Sequence, residues 1–327
     1  KIKMIVVTGA TGFIGSNVCE FIHEHHSDKN IIAVDTFDDD NKLKNLSNIN
    51  IKEFLKPEDL SAFLNDSFEN ITAVIHMGAI SSTTERDLNL IVRNNMNFPY
   101  MIWKQCSEKN IKFIYASSAA TYGDGRNGFL DSFDIKYLEK IRPINLYGWS
   151  KNQFDKWVFQ EVKNGNAPPV WAGLKFFNVY GPREDYKAGM KSMVAQAHKQ
   201  IQKNGKVKLF KSNDKNIKDG HQLRDFIYVK DCVKIIDWIL KKSDFGDVIN
   251  VGTGKARSFN DLVKSVFEVM GKEAKIEYIE MPDMLKEQYQ NFTQADICKI
   301  KEHGYDKKFY TLEEGVQDYV ENYLEKA

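Results

Sequence analysis

The segment "MIVVTGATGFIG" (4–15) joins an apolar run, three glycines at regular spacing and the start of a helical pattern. Gly9 allows a tight turn, Gly12 lets the backbone approach a ligand, and Gly15 lets the helix pack closely. The helix N-terminus then offers unpaired N–H groups to a phosphate. A second apolar run, "NIIAVD", ends in Asp35, where a carboxylate can contact a ribose. The segment therefore predicts a strand–turn–helix unit that binds a dinucleotide.

The residues after the second apolar run leave the choice between NAD and NADP open. The Asp35 carboxylate would hydrogen-bond the 2′-hydroxyl of NAD and repel the 2′-phosphate of NADP. Lys42 and Lys44 follow closely, and their positive charges would offset that repulsion. From the residues alone we expect a nicotinamide dinucleotide of either kind.

Strand-like and helix-like segments alternate through the first 177 residues. Five apolar runs predict strands buried on both faces: "KMIVVTG", "NIIAVD", "AVIHMG", "KFIYASS" and "VWAGLKFF". Helical stretches are predicted between them over 13–26, 90–109 and 147–163. Because βαβ units place parallel strands side by side, the predicted fold class is α/β, a Rossmann-type doubly wound parallel sheet.

The alternation becomes irregular after Asn178. A helix is predicted over 190–203, followed by short strands and the polar loop "KSNDKNIKDGHQ". The strand-like and helix-like pattern then returns in "RDFIYVKDCVKIIDWIL" and "DVINVG". We predict a dinucleotide-binding domain of residues 1–177 and 226–251. A smaller α/β substrate-binding domain would be formed by the later, interleaved segments 178–225 and 252–327.

Composition argues against several classes of partner. The 327 residues carry a formal net charge of +1, which favours neither a nucleic acid nor a membrane surface as partner. The four cysteines lack the paired spacing of a zinc site and favour a reducing compartment. "HEHH" (23–26) lacks metalloprotease spacing, so no metal site is predicted. The first apolar run is too short for a signal segment or membrane span, so we expect a cytoplasmic protein.

Polar groups with catalytic potential follow the predicted strands. "NLYGWSK" places Tyr147 and Lys151 four residues apart, on one face of a helix. An ammonium group and a cationic nicotinamide nearby would favour the phenolate and lower the tyrosine pKa from its usual value near 10. "YASSAATYG" ends a strand with Ser117 and Ser118, at the sheet edge where ligands bind. A serine there can orient both a substrate oxygen and the phenol.

The loop "NVYGPREDYKAGM" (178–190) carries Lys187 beside two small residues. Loop lysines are usually solvated, and Lys191 lies close by in the sequence. Burial or a cationic neighbour would instead bring the Lys187 pKa toward neutrality, as a base requires. The loop alone leaves both interpretations open.

Together these motifs resemble the extended short-chain dehydrogenase/reductase family, and the similarity spans about the whole chain. More narrowly, the chain is similar to the branch of that family that epimerises ADP-linked heptose. The segments that carry this narrower similarity are "GAISSTTE" (78–85), "YASSAATYG" (115–123), "FNVYGPRE" (177–184) and "PDMLKEQYQNFTQAD" (282–296). The resemblance implies NADP-dependent inversion at C6 of ADP-glycero-manno-heptose, for the lipopolysaccharide inner core. It also implies a homo-oligomer, a pentamer in the family.

The resemblance implies roles for individual residues. Tyr147 and Lys187 would move protons on opposite faces of the substrate carbon, with Lys151 and Ser118 completing the catalytic set. The implied cofactor residues are Gly9, Gly12, Phe13, Ile14, Gly15, Asp35, Thr36, Lys42, Met77, Gly78, Ala79, Ser81, Asn94, Lys151, Val179 and Lys187. The implied substrate residues are Ser118, Asn178, Gly189, Gln196, Phe210, Ser212, Arg224 and Tyr289. Gly189 and Gln196 stand where the family has a serine and a histidine.

Several alternatives stay open at this stage. Arg224 suits a diphosphate through its fork of donors, but it could equally pair with Asp225. Another nucleotide-sugar 4-epimerase or 4,6-dehydratase would share the fold. A dehydratase usually has Asp-Glu after the strand-end serine or threonine, whereas Ala119 and Ala120 follow Ser118 here. A non-catalytic NADPH-sensing protein is the alternative from another class, although such proteins often lack the tyrosine or the lysine.

Overall fold

The computed structural model describes residues 3–286 and 289–326. Its strands are β1 (Lys3–Thr8), β2 (Lys29–Val34), β3 (Glu53–Leu55), β4 (Ile71–His76), β5 (Lys112–Ser118), β6 (Val170–Phe176), β7 (Asn178–Tyr180), β8 (Val207–Phe210), β9 (Leu223–Arg224), β10 (Phe226–Tyr228), β11 (Phe245–Val251), β12 (Arg257–Ser258) and β13 (Ile276–Ile279). Among the described residues, a seven-stranded sheet has the order β11-β6-β5-β4-β1-β2-β3, and its neighbouring strands are parallel.

The helices cover both faces of this sheet or belong to the later segments. They are α1 (Phe13–His25), α2 (Asp40–Leu43), α3 (Leu60–Ser67), α4 (Leu88–Val92), α5 (Phe98–Glu108), α6 (Ile135–Lys140), α7 (Leu146–Lys163), α8 (Met193–Asn204), α9 (Val229–Leu240), α10 (Phe259–Val269), α11 (Asp283–Lys286), α12 (Cys298–Glu302) and α13 (Leu312–Tyr319). A π-helical turn, Arg93–Asn97, joins α4 to α5, and another, Val320–Leu324, follows α13.

The strand order explains where a ligand can bind. The chain builds the sheet outward from β1 in one direction through β2 and β3, and in the other through β4, β5 and β6. In such sheets the crevice for ligands lies at the carboxyl ends of the strands where the direction reverses. The predicted α/β class and doubly wound parallel sheet are confirmed, and the reversal lies between β1 and β4.

The later segments form smaller sheets and a second apolar core. The strand pairs are β7 with β10, β9 with β12, and β8 with β13. Val194 of α8, Val263 of α10 and Val316 of α13 are fully buried in this second core. β11 returns the chain to the edge of the main sheet, beside β6. The exact division into two domains stays a prediction.

The segment after β7 differs from the predicted helix over 190–203. α8 begins only at Met193, because the Ser192 side chain caps it by accepting a hydrogen bond from the Ala195 N–H. The preceding residues, Asp185–Met190, form an irregular 3₁₀ segment in which Ala188 has φ 47° and ψ −118°. A non-glycine residue with positive φ is strained, so other contacts must hold this segment in place.

In the described ranges, we find no helix long and apolar enough to span a membrane. The same residues contain no cluster of three or more His, Cys, Asp or Glu side chains placed to hold a metal ion.

Candidate active site

A groove of about 350 Å³ lies at the carboxyl edge of the sheet, beside the reversal point. It brings together most of the predicted cofactor and catalytic residues, although they belong to elements and loops that are far apart along the chain. Those lining it are Gly9, Gly12, Phe13, Ile14, Gly15, Asp35, Lys42, Met77, Gly78, Ala79, Ser81, Ser118, Tyr147, Lys151, Val179 and Lys187. Thr36 and Asn94 instead line a separate cavity of about 540 Å³ together with Arg93 and Phe98.

The glycine turn is shaped for close approach of a ligand. Gly9 has φ +63°, and a Cβ atom there would lie 2.6 Å from the Gly78 backbone. At Gly15 a Cβ atom would lie 2.1 Å from the Gly9 carbonyl oxygen, so α1 can pack this tightly only with glycine. The Asp35 carboxylate accepts hydrogen bonds from the Thr11 N–H (3.0 Å) and hydroxyl (2.6 Å), which fix it at the turn. This geometry fits a dinucleotide.

Tyr147 and Lys151 both face the groove from α7. The helix begins where the Asn145 side chain accepts a hydrogen bond from the Gly148 N–H at 2.8 Å. The Lys151 Nζ lies 5.9 Å from the centre of the Tyr147 ring. Burial raises the pKa of Tyr147, while a hydrogen bond with the Ser118 side chain opposes that rise. Burial lowers the pKa of Lys151 to about 8, against the opposing charge of Asp155.

The expected lowering of the Tyr147 pKa is therefore not supplied by the protein alone. From the sequence we expected the Lys151 ammonium and a cationic nicotinamide to lower this pKa together. In the structure, the removal of the phenol from water outweighs the groups around it.

A buried polar cluster supports α7 and the end of β5. The Asp155 carboxylate, one turn after Lys151, accepts hydrogen bonds from the Tyr115 hydroxyl (3.0 Å) and the Ser117 hydroxyl (2.8 Å). It also pairs with the Lys175 Nζ at 2.8 Å, and both charged side chains are fully buried. Because Ser117 precedes Ser118, this cluster fixes the strand end that carries Ser118. The sequence analysis missed it, although Lys175 interrupts an otherwise apolar strand.

Lys187 lies on the irregular segment Asp185–Met190 and lines the groove. Its Nζ is 4.1 Å from the centre of the Phe13 ring, at the start of α1. Burial lowers the pKa of Lys187, and the charge of Glu184 partly reverses that change. The loop lysine is thus partly buried and electrostatically perturbed, which favours the functional interpretation over the solvated one.

Tyr186 is a further groove residue that the sequence analysis did not single out. Its hydroxyl accepts a hydrogen bond from the Phe13 N–H at 2.9 Å. That N–H belongs to the first turn of α1, where phosphate groups bind in this fold. The Lys42 Nζ lies 5.5 Å from the Tyr186 ring. No local sequence signal predicts this contact, because the two partners are far apart along the chain.

A second cavity, of about 700 Å³, lies next to the groove. Four of the predicted substrate residues line it: Asn178, Gln196, Phe210 and Tyr289. Lys187 and Val179 line both this cavity and the groove, so the two spaces meet at Lys187. Gly189 directly precedes the lining residue Met190, Ser212 follows Phe210 by two residues, and Ser118 belongs to the groove. Arg224 does not line this cavity itself but packs against Tyr289, which does.

Arg224 is buried, with 7% of its surface exposed. Its guanidinium lies 5.1 Å from the ring of Tyr289 and 5.6 Å from that of Phe259. The alternative ion pair with Asp225 is not formed. The Asp225 carboxylate accepts hydrogen bonds from the backbone N–H groups of Thr253, Gly254 and Ala295. One guanidinium nitrogen of Arg224 donates to the Leu223 carbonyl at 2.9 Å, and within the described residues no carboxylate pairs with Arg224.

The sequence profile of the NAD dependent epimerase/dehydratase family matches residues 5–252. The chain belongs to this family. This confirms the family resemblance and the nicotinamide dinucleotide class of cofactor.

Individual relatives agree with the family match. The chain is 45% identical to a protein of Fusobacterium nucleatum named ADP-L-glycero-D-manno-heptose-6-epimerase, over 99% of this chain and 98% of that protein. It is 43% identical to a protein of the same name from Nitratidesulfovibrio vulgaris, over 99% of both chains. The crystal structure of the Helicobacter pylori ADP-L-glycero-D-manno-heptose-6-epimerase superposes with a TM-score of 0.82 at 32% identity, covering 98% of this chain and 96% of that one.

The fold extends to more distant members. A UDP-N-acetylglucosamine 4-epimerase from Methanobrevibacter ruminantium has a TM-score of 0.81 at 23% identity over the full length of both chains. Similarity at this level shows the shared fold.

Proposed function

We propose that this protein is an isomerase that inverts C6 of the heptose in ADP-glycero-manno-heptose, from the D-glycero to the L-glycero form. Two relatives, at 45% and 43% identity, carry the name of this epimerase, and each aligns with this chain over almost its whole length. The observation that carries the proposal is the place of Lys187, which lines both the dinucleotide groove and the second cavity. A reacting carbon where the two spaces meet would have Tyr147 and Lys187 within the same site.

The chemistry of the reaction requires an oxidised intermediate. The C6–H bond of a secondary alcohol is hardly acidic, so direct deprotonation would be slow. When bound, the nicotinamide supplies the redox chemistry by taking hydride from C6 and returning it to the opposite face of the resulting ketone. The protein must then move the hydroxyl proton on both faces, which requires two acid/base groups.

Tyr147 and Lys187 fill these two roles in the proposal. One group removes the hydroxyl proton as the alcohol is oxidised, and the other delivers a proton as the alcohol forms again on the opposite face. The pair therefore shares one proton, whose position alternates over the cycle. Ser118 orients the substrate oxygen and the Tyr147 hydroxyl. Lys151 holds the nicotinamide ribose and adds positive charge beside the phenol.

We assign the cofactor as NADP. Lys42 and Asp35 line the same groove, and the Lys42 ammonium can face a 2′-phosphate. Thr36, the residue after Asp35, and Asn94 would contact the adenosine end from the neighbouring cavity. The remaining cofactor contacts are those of the glycine turn and of the β4 end. Comparison of NADP and NAD binding by calorimetry tests this assignment, and tighter binding of NAD contradicts it.

We assign the second cavity to the ADP-heptose substrate. Arg224, buried and without a carboxylate partner in the described residues, suits the diphosphate. Tyr289 and Phe210 offer apolar surface, and Asn178 and Gln196 offer amide groups near Lys187. Gly189 and Ser212 complete the predicted contacts from neighbouring positions.

The family resemblance also supports a wider description of the protein. We assign it to the cytoplasm, to the synthesis of lipopolysaccharide inner-core heptose, and to a homo-oligomer, a pentamer. The domain division at residues 177/178, 225/226 and 251/252 belongs to the same proposal. Light scattering of the purified protein tests the oligomer, and a monomer at working concentration contradicts it.

The function is tested by incubating the protein with ADP-D-glycero-manno-heptose and following C6 by NMR. We expect inversion at C6, and no deuterium at C6 when the reaction runs in D₂O, because the hydrogen removed from C6 returns to it. Deuterium at C6 would contradict transient oxidation. Retained cofactor without any inversion would move the assignment to a nicotinamide-sensing protein. Inversion at C4 of another nucleotide sugar would indicate a 4-epimerase.

A further inference from the structure

Glu184 is a buried carboxylate beside the active site that the proposed chemistry does not use. It precedes the irregular segment Asp185–Met190, and 1% of its surface is exposed. Its side chain lines the second cavity together with Lys187. A carboxylate is unfavourable in such a place unless hydrogen bonds and a nearby positive charge compensate for the lost water.

The hydrogen bonds of Glu184 close the segment that carries Lys187. One carboxylate oxygen accepts a hydrogen bond from the Ser192 N–H at 2.7 Å. The other accepts from the Ser192 hydroxyl at 2.5 Å and from the Tyr319 hydroxyl at 3.1 Å. Glu184 thus joins the beginning of the segment to its end, where α8 starts, and ties both to α13. Its carbonyl oxygen also accepts a hydrogen bond from the Lys187 N–H at 3.1 Å.

Glu184 is also the charged group that acts on the Lys187 ammonium. From α1 the ammonium faces the ring of Phe13, which carries no charge. The neighbouring carboxylate, Asp185, pairs with Lys191 at 2.7 Å and is exposed. Tyr319 of α13 reaches Glu184 as a neutral phenol. Burial lowers the pKa of Lys187 and raises the pKa of Glu184, and the opposite charges of the two groups partly reverse both shifts.

We propose that Glu184 is a positioning residue for proton transfer at Lys187: it closes the segment around Lys187 and keeps that lysine able to hold a proton. This inference rests on the proposed role of Lys187 in epimerisation. In one half of the cycle Lys187 must deliver a proton, so it must be protonated when the ketone is reduced. A buried lysine with no carboxylate beside it loses its proton readily. Glu184 supplies both the charge and the geometry.

Glu184→Gln tests the proposal, with Asp185→Asn as the matched control. Both variants remove one negative charge from adjacent residues, but Asp185 is exposed and pairs with Lys191 instead of hydrogen-bonding Ser192 and Tyr319. We expect Glu184→Gln to fold, to bind the cofactor as the wild type does, and to lose about 10- to 100-fold in kcat with KM changed less than about threefold. Asp185→Asn should keep both constants within about twofold of the wild type.

The pH profile separates this role from a merely structural one. A shared proton gives a bell-shaped dependence of kcat on pH, with two apparent pKa values that belong to the pair. Loss of the Glu184 charge disfavours the Lys187 ammonium and so lowers the Lys187 pKa. The limb of the pH profile that Lys187 governs must then shift to lower pH. A second measurement needs no activity. In ¹³C-lysine-labelled protein, the Cε resonance of Lys187, assigned by its loss in Lys187→Met, should titrate at lower pH in Glu184→Gln.

The outcomes separate this inference from the proposed function. If the wild type epimerises and Glu184→Gln matches Asp185→Asn in kcat and pH profile, the role of Glu184 is wrong. If the wild type does not epimerise, the proposed function is wrong, and the Lys187 titration still decides whether Glu184 controls this lysine. An unchanged titration midpoint in Glu184→Gln overturns the inference in either case. A Tyr319→Phe variant, which keeps the charge, should leave the midpoint within the error of the wild type.

Discussion

The two proposed acid/base groups stand on regions of very different construction. Tyr147 belongs to an 18-residue helix that is capped by Asn145 and lies on the buried Asp155–Lys175 pair. Lys187 belongs to a six-residue irregular segment that contains a strained residue, Ala188. Regular hydrogen bonding and packing fix the first region, whereas a few side-chain anchors fix the second. One half of the site is therefore preorganised by the fold, and the other depends on individual contacts.

The largest effects should come from the two groups themselves. Tyr147→Phe and Lys187→Met each remove one of the two proton-transfer groups, so each should lower kcat by about 10²- to 10⁴-fold, the usual contribution of such catalysis. Cofactor binding should persist in both variants. Lys199→Met, which removes an exposed lysine from the nearby α8, serves as the control and should remain active. Near-normal turnover of Lys187→Met would contradict the two-base assignment.

The buried Asp155–Lys175 pair tests the region around Tyr147 alone. Lys175→Met leaves the Asp155 carboxylate buried without its ammonium partner, so the free energy of unfolding should fall by about 3–5 kcal/mol. Denaturant unfolding measures the change, and Lys163→Met on the exposed end of α7 is the control. The double variant Lys175→Met/Asp155→Asn should recover part of the loss, because the stranded charge is gone. A loss below about 1 kcal/mol in Lys175→Met would mean that the pair does not support α7.

A buried histidine of the main sheet should make the stability of the protein depend on pH. His76, at the end of β4, is buried, and burial lowers its pKa to about 3. Unfolded histidine titrates near 6.5, so between about pH 6.5 and 3 the unfolded state binds a proton that native His76 does not. This group's contribution to the free energy of unfolding therefore falls as pH falls, by up to about 1.4 kcal/mol per pH unit.

His76→Gln should flatten this slope relative to the wild type. Unfolding curves between pH 7 and pH 5 measure the difference. Equal slopes in the wild type and in His76→Gln would show that the protonation of His76 is not linked to folding.

The smallest predicted effect concerns the anchors of the irregular segment. Tyr186→Phe removes the hydroxyl that accepts the Phe13 N–H at 2.9 Å. One such hydrogen bond contributes about 0.5–1.5 kcal/mol, so the free energy of unfolding should fall by that amount. Tyr137→Phe is a comparison away from the groove, where the lost hydroxyl donates to the Gly128 carbonyl and accepts from the Leu130 N–H. An unchanged free energy of unfolding in Tyr186→Phe would contradict the role of this anchor.

The same contrast explains what the sequence could predict. The glycine turn, the buried strands and the common face of Tyr147 and Lys151 follow from patterns within a few residues. The sheet and the groove were therefore predictable. The support beneath Tyr147 was not, because Asp155 and Lys175 meet only when α7 packs on β6.

The irregular segment was still harder to predict. Its Glu184–Tyr319 bond spans 135 residues of chain, and its Tyr186–Phe13 bond spans 173. No local pattern carries such contacts. The helix predicted from 190 begins at Met193, because tertiary anchors keep the residues before Ser192 out of the helix.

The most direct test of the account mixes each single variant with each C6 epimer of the substrate and follows reduction of the bound cofactor by its near-ultraviolet absorbance. If Tyr147 and Lys187 serve opposite faces, Lys187→Met still oxidises the epimer that Tyr147 deprotonates, and Tyr147→Phe oxidises only the other epimer. The account predicts this exchange of epimer preference between the two variants. The account would be contradicted if both variants failed to oxidise the same epimer. It would also be contradicted if Tyr147→Phe alone failed to oxidise either epimer.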